Sequence, residues 1–272
     1  MEELARAKVN LALHVRGREP DGYHRIETLF AFLEEGDRLR VEEGEGLSLS
    51  LEGPFAAQLG LGEDNLVLRA AAALRRRFGI KRGARLTLEK NLPVASGIGG
   101  GSADAAAALR LLDRWWGIGA GEAALIGIAR TIGADVPACL LSRTVLGTGR
   151  GDVLAEADRP ELRGTPILLV NPGVAVSTAE VFRLWHGEDG GPLPVDLKEA
   201  QNDLEPLALR LAPAIGEVLE SLRRAEGTVL ARMSGSGATC FALFGSESHR
   251  DAAAEAFATS RPAWWSLASR LV

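Results

Sequence analysis

Apolar and polar positions alternate over residues 7–15: Val9, Leu11, Leu13 and Val15 share one face, and Lys8, Asn10, Ala12 and His14 share the other. Period two predicts a half-buried strand and sets Lys8 beside Asn10 on its less apolar face. That face is either a solvated surface with an incidental lysine or the wall of a site. Asp21-Gly22 then makes a turn that presents Tyr23 and His24. Strand-like runs at 38–42 and 47–51 flank Gly44 and Gly46, which predicts a hairpin. Leu66, Ala70, Ala73 and Leu74 repeat at helical spacing until Gly79, with Asp64 or Asn65 as the cap. Leu86 and Leu88 alternate toward Lys90, so a strand delivers the chain to Pro93.

The next pattern is the densest. Gly97, Gly99, Gly100 and Gly101 sit directly before an Ala-rich run that continues through Leu111, Leu112 and Trp115. A helix is predicted over 102–116, ended by Gly117, and another over 121–132, ended by Gly133. In Gly133-Ala-Asp-Val-Pro137, Asp135 suits a helix cap and Pro137 an early helical position. Residues 147–152 form a tight turn between Val145 and Val153, to which no chemistry is assigned. A change of register after Arg159-Pro160 divides the chain into 1–159 and 160–272. Residues 166–170 form a continuous apolar run, hence a buried strand closed by Asn171-Pro-Gly173. Ser177-Thr-Ala-Glu180 fits a capping box for a helix carrying Phe182 and Trp185. Residues 187–194 form a mobile surface loop. A helix at 214–225, a strand at 228–233, Ser234-Gly-Ser-Gly-Ala238, a strand at 239–244, a helix at 248–258 and a strand at 264–271 follow. Mixed in this way, strands and helices predict an α+β fold.

Composition narrows the partners. The 272 residues are 46% hydrophobic and 25% charged, ordinary for a soluble globular protein. The formal net charge of -5 provides no basic field for a nucleic-acid backbone or an anionic membrane, so a small molecule is the expected partner. Cys139 and Cys240 each lie in an apolar segment, which predicts two buried thiols rather than a zinc cluster or disulfide framework. The first residues lack the layout of a signal peptide, and no apolar run approaches the ~18 residues of a membrane span. A cytoplasmic location is expected. Only four of 31 basic residues are lysines (Lys8, Lys81, Lys90 and Lys198), which draws the eye to Lys8.

A glycine loop between a strand and a helix can admit a ligand close to the backbone. The first turn of the helix adds unpaired N–H groups at its positive end, which suits a phosphate. No Gly-Lys-Ser/Thr follows, and Ser102 stands where a dinucleotide fingerprint has its third glycine, so neither of those motifs applies. The plain alternative is a flexible turn in which Ser102 or Asp104 caps the helix.

Taken together, the glycine segment at 93–103, Lys8-Val-Asn10, Gly133-Ala-Asp-Val-Pro137 and Ser234-Gly-Ser-Gly237 resemble the GHMP family of small-molecule kinases. Asp21-Gly-Tyr-His24, Glu63-Asp-Asn-Leu66, Gln201-Asn-Asp-Leu-Glu205 and Met233-Ser-Gly-Ser-Gly-Ala-Thr-Cys240 extend the likeness over nearly the whole chain. They point to the members that phosphorylate a methylerythritol linked to cytidyl diphosphate, in the non-mevalonate route to isoprenoids. The resemblance implies an N-terminal ATP-loop domain, a C-terminal ferredoxin-like α/β sandwich domain, and a substrate lying between them. It implies ATP and Mg2+ as cofactors and transfer of the γ-phosphoryl group to the 2-hydroxyl. Lys8 and Asp135 become the catalytic pair, and Val94, Ala95, Ser96, Gly97, Ile98, Gly99, Gly100, Gly101, Ser102, Ala103 and Asp104 the ATP loop. Asn10, Tyr23, His24, Thr178 and Phe182 become the substrate residues, with Tyr23 and Phe182 sandwiching the cytosine and His24 hydrogen-bonding it. Without the resemblance, Phe182 reads equally well as a core residue of an amphipathic helix. Ala95 and Ser96 depart from the family, which commonly has glycine there. The alternatives are a sibling kinase for another small alcohol and a non-catalytic nucleotide-binding module.

Overall fold

The computed structural model of the protein describes residues 1–60, 62 and 64–272; Glu63, the first residue of the Glu63-Asp-Asn-Leu66 motif, lies outside the described residues, as does Leu61. Contacts group the chain into two compact units. The first comprises Met1–Lys8, Glu35–Val94 and Gly99–Ser142, the second Val9–Glu34, Ala95–Ile98 and Arg143–Val272. They interleave because β1 (Glu2–Arg18) and β2 (His24–Glu42) each contribute residues to both. The division into 1–159 and 160–272 is proposed for the domains of the sequence; the contacts follow this different, interleaved grouping.

In the first unit, β3 (Leu47–Glu52), α1 (Leu66–Phe78) and β4 (Ala84–Glu89) form a crossover, with β3 and β4 parallel and Leu47 opposite Ala84. β4 in turn pairs antiparallel with the end of β2, Arg38 opposite Glu89. The expected hairpin between 38–42 and 47–51 is therefore absent: β4 inserts between the two strands. The chain still reverses between β2 and β3, but the reversal spans the N-terminal end of β4, which passes close to Gly44. A Cβ on Gly83 would stand 2.2 Å from the carbonyl oxygen of Gly44, and one on Gly44 3.1 Å from the backbone nitrogen of Arg85. Parallel pairing needs a long connection, and α1 supplies it. Asn65 caps that helix by accepting from the N–H of Val67 at 2.9 Å, and Gly79 ends it at φ +65°. α2 (Gly100–Trp116) is buried continuously from Ala103 to Leu109, so the alanine run is a helix enclosed on nearly every side. α3 (Glu122–Arg130) and α4 (Val136–Leu141) complete the unit.

In the second unit, β5 (Val145–Thr148) and β6 (Val153–Glu156) form the expected hairpin, and Thr28 of β2 pairs with Gly147. β7 (Pro166–Asn171), α5 (Thr178–Arg183), α6 (Glu205–Leu211), α7 (Ala214–Arg224), β8 (Thr228–Met233), β9 (Cys240–Phe244), α8 (Glu247–Ser260) and β10 (Trp265–Arg270) follow. The four strands form an antiparallel sheet in the order β10-β7-β9-β8. This βαββαβ order is the ferredoxin-like arrangement. Leu168, Val170, Ala242 and Phe244 of the sheet pack with Ile215, Val218, Leu219 and Leu222 of α7 and Phe257 of α8. Burying a valine, leucine, isoleucine or phenylalanine of this cluster contributes roughly 1.5–3 kcal/mol relative to exposure. Cys139 and Cys240 are buried free thiols. Among the described residues, no helix is long and apolar enough to cross a membrane.

Candidate active site

β4 ends at Glu89, and the chain turns through Lys90 and Pro93 into the glycine loop, where Gly99, at φ +64° and ψ +20°, occupies the N-cap position of α2. No side chain caps this helix, so its first N–H groups are left to a ligand or solvent. Side chains are excluded around it. A Cβ on Gly99 would lie 2.7 Å from Cε of Lys8, and one on Gly100 2.9 Å from Nζ of Lys90. Ala95, where the resembling family commonly has glycine, holds a left-handed φ of +51°.

The Lys8 against which Gly99 packs is 3% exposed, and its Nζ lies 2.9 Å from Oδ2 of Asp135. Asp135 directly precedes α4 but makes no side-chain capping bond; its carboxylate is turned to the lysine and stays 33% exposed. Pro137 fits the first turn because no N–H is needed there. Cys139, one turn on, is not a competing nucleophile: burial, then the Asp135 carboxylate, pushes its thiol up to about 12.

Beneath the loop lies a cluster the sequence did not predict as a unit. Nζ of buried Lys90 donates to Oδ2 of Asp37 and, at 2.8 Å, to Oδ2 of Asp104. Oδ1 of Asp37 accepts from the N–H groups of Asn91 and Leu92 at 2.6 and 2.8 Å, pinning the chain where it enters the loop. Burial, opposed by Lys90 and reinforced by Asp37, raises the Asp104 carboxyl to about 8. Burial alone would lower Lys90, but the two acids outweigh it and the ammonium is retained. A proton kept on Asp104 lessens the charge buried in the cluster, and buried charge is costly. Asp104, implied as the last residue of the ATP loop, is thus engaged with Lys90.

In the second unit, Ser234-Gly-Ser-Gly237 grips the start of the glycine loop. The Ser234 hydroxyl donates to the carbonyl of Gly97 at 2.9 Å and accepts from the N–H of Asn10 at 3.1 Å. The Thr239 N–H donates to the Ser96 carbonyl at 3.1 Å, and a Cβ on Gly97 would meet the Ser234 carbonyl at 2.6 Å. Asn202 donates to the carbonyls of Met233 and Gly235, both at 2.8 Å, which fixes the motif in turn. The amide of Asn10 donates to Thr28 Oγ1 at 2.8 Å. Neither Ser234 nor Asn202 had been expected at the site, although both lie in motifs the resemblance uses.

His24 opens β2 with its ring 5.0 Å from that of Phe182 and 5.5 Å, edge-on, from that of Trp185. Phe182 and Trp185 also pack against the apolar core of this unit, which is the packing role the helix pattern allowed for Phe182. Burial, then the charge of Arg18, lowers the pKa of His24. Thr178 shares a 2.7 Å hydrogen bond with Ser236. Tyr23 lies at the hairpin tip under the guanidinium of Arg150. Residues 187–194, expected as a loose loop, are tethered: Arg16 pairs with Asp189 at 2.6 Å, His14 donates from Nδ1 to the Gly191 carbonyl at 3.0 Å, and the Leu193 N–H donates to Glu27 at 3.1 Å.

Comparison with known proteins gives consistent matches. The profile described as "GHMP kinases N terminal domain" matches residues 65–143 and "GHMP kinases C terminal" matches 193–262. A protein of Rhizorhabdus wittichii named 4-diphosphocytidyl-2-C-methyl-D-erythritol kinase is 55% identical over 99% of this chain and 94% of its own. A protein of the same name from Cereibacter sphaeroides is 48% identical over 100% and 99%. A crystal structure of 4-(cytidine 5'-diphospho)-2C-methyl-D-erythritol kinase superposes with a TM-score of 0.85 at 38% identity, covering 100% of this chain and 99% of the other. Homoserine kinase from Cytophaga hutchinsonii shares the fold, with a TM-score of 0.76 at 18% identity over 100% and 94%.

Proposed function

The chain belongs to the GHMP kinases, and from that membership we propose that it transfers the γ-phosphoryl group of ATP to the 2-hydroxyl of 4-diphosphocytidyl-2-C-methyl-D-erythritol. The names of relatives 48–55% identical over nearly their full length support this substrate over another small alcohol. The observation that carries the chemistry is the 2.9 Å pair of Lys8 and Asp135.

Asp135 accepts the proton of the substrate hydroxyl as that oxygen bonds to the γ-phosphorus and the bond to the β-bridging oxygen breaks, leaving ADP. Lys8 orients the carboxylate and offsets negative charge on the reacting oxygens. Close packing of Gly99 on Lys8 couples the loop to this ammonium. The uncapped start of α2, where Gly99 and Gly100 leave no room for a Cβ beside Lys8 and Lys90, fits the phosphates of ATP. Magnesium is held mostly by substrate phosphates and water; with Asp104 engaged by Lys90, Ser102 is the oxygen of the loop left to it. Asn10 positions the erythritol end, and Thr178, Tyr23, His24 and Phe182 hold the cytidyl end, by stacking and hydrogen bonding. A cytoplasmic site of action accords with soluble substrates of this kind.

The test is ATP consumption by the purified protein with diphosphocytidyl-methylerythritol, mevalonate, phosphomevalonate and homoserine in parallel. Turnover with the cytidyl substrate alone is expected; faster turnover of any of the others overturns the assignment.

A further inference from the structure

Tyr23 is the one tyrosine of the chain, and it is 58% exposed at the tip of the β1–β2 connection. The turn beneath it is ordered by the Glu19 N–H donating to the Tyr23 carbonyl at 2.7 Å and the Tyr23 N–H donating to Asp21 Oδ1 at 3.1 Å. A large aromatic ring this exposed would ordinarily sample several rotamers and lose that freedom on binding a ligand.

Something on the β5–β6 turn restrains it. Cζ of Arg150 stands 4.1 Å from the centre of the Tyr23 ring, inside cation–π range. Arg150 is itself held from the far side: Nε and Nη2 donate to Oε2 of Glu19 at 2.9 and 2.5 Å, and Nη2 donates to Oδ2 of Asp21 at 2.5 Å. The backbone of its turn is tied down where the Ile26 N–H donates to the Gly149 carbonyl at 2.7 Å. A planar cation fixed by two carboxylates thus covers one face of a ring whose remaining surface is open. The two acids raise the Arg150 guanidinium, and the Tyr23 N–H first, then Arg150, lowers the Asp21 carboxyl.

We propose that Arg150, locked by Glu19 and Asp21, is a positioning residue that backs the Tyr23 ring and presents its free face to the pyrimidine of a cytidine diphosphate group. The proposal rests on the reading of Tyr23 as a nucleobase platform. Arg150 touches the ring, not the ligand, and acts by holding a rotamer that would otherwise have to be selected on binding. Lysine cannot replace it, because an ammonium lacks the plane and the fork that engage ring and carboxylates together.

A single tyrosine makes the test direct. Protein labelled with 13C-tyrosine has one ring resonance set, and CDP is the probe. Wild-type protein is expected to show a saturable shift of that signal. Arg150→Ala should weaken CDP about 3- to 10-fold, raise the KM for the cytidyl substrate by a similar factor, and leave the KM for ATP unmoved. Arg150→Lys should recover little of this. Glu19→Gln combined with Asp21→Asn, which keeps both ring and guanidinium but frees the latter, should weaken CDP in the same direction and guards against a folding defect in the alanine variant. Wild-type affinity in Arg150→Ala, or a loss fully rescued by lysine, overturns the role of Arg150 while leaving Tyr23 as the platform. A wild-type tyrosine signal indifferent to CDP overturns the platform reading and, with it, this inference.

Discussion

Nζ of Lys8 and Oδ2 of Asp135 lie 2.9 Å apart, the lysine buried at 3% exposure and the carboxylate open to solvent over a third of its surface. A carboxylate in that position is oriented by the ammonium and remains reachable by a substrate hydroxyl, the geometry a general base requires. Asp135→Asn keeps an oxygen acceptor for Lys8 and removes the base. Turnover should fall by ~10²–10⁴-fold with little change in Tm. Near-normal turnover in a normally folded variant would show that Asp135 is not the base.

The glycine loop supplies two changes of opposite sign. Gly99→Ala places a methyl 2.7 Å from Cε of Lys8 at a φ of +64°. The left-handed conformation alone costs about 1–2 kcal/mol, and displacing the ammonium should reduce turnover on the order of 10²-fold. Ala95 already carries such strain at φ +51°. Ala95→Gly should therefore cost no stability and gain up to about 1 kcal/mol. Melting curves of the two variants against wild type decide it: a lower Tm for Ala95→Gly would mean that the alanine methyl makes contacts worth more than its strain.

How much of this was legible beforehand differs by residue. The strand carrying Lys8 and the helices bounded by Gly79 and Gly117 followed from local periodicity and from end signals the backbone itself requires. The pairing of β3 with β4 did not, because the reversal at Gly44 and Gly46 looks alike in sequence whether the two flanking strands pair directly or a third strand lies between them. The residues around Asp135 pointed to a helix cap, and only the fold brings a lysine 127 positions away in the chain within hydrogen-bond distance of it. Lys90, Asp37 and Asp104 had no signal as a group, since three charges separated by tens of residues read as three solvated side chains.

That buried group makes a pH prediction. The Asp104 carboxyl is raised from 3.8 to about 8 by burial foremost, so the folded state holds a proton that the unfolded chain releases. A raised carboxyl contributes stability that is complete below 3.8 and lost as pH climbs through about 8. Between pH 5 and 8 wild-type stability should decline relative to Asp104→Asn, whose amide mimics the protonated acid at every pH, by up to about 1.4 kcal/mol per pH unit. Urea melts of both proteins across that range provide the comparison, and parallel pH profiles would place Asp104 among ordinary ionised carboxylates.

His24 gives the last prediction, and its sign is opposite. Burial against Phe182 and Trp185, with Arg18 nearby, lowers its pKa below 6.5, so the ring is neutral at physiological pH. A neutral imidazole offers one donor and one acceptor nitrogen, which suits the mixed hydrogen-bonding edge of cytosine, whereas an imidazolium offers donors only. The KM for the cytidyl substrate should be flat from pH 7 upward and rise once the pH drops through the lowered His24 value, while the KM for ATP stays level. In His24→Gln, which keeps a donor and an acceptor but does not titrate, that acid limb should vanish. Persistence of the limb in the variant would assign it to the substrate or to another group and leave His24 as a packing residue for Phe182 and Trp185.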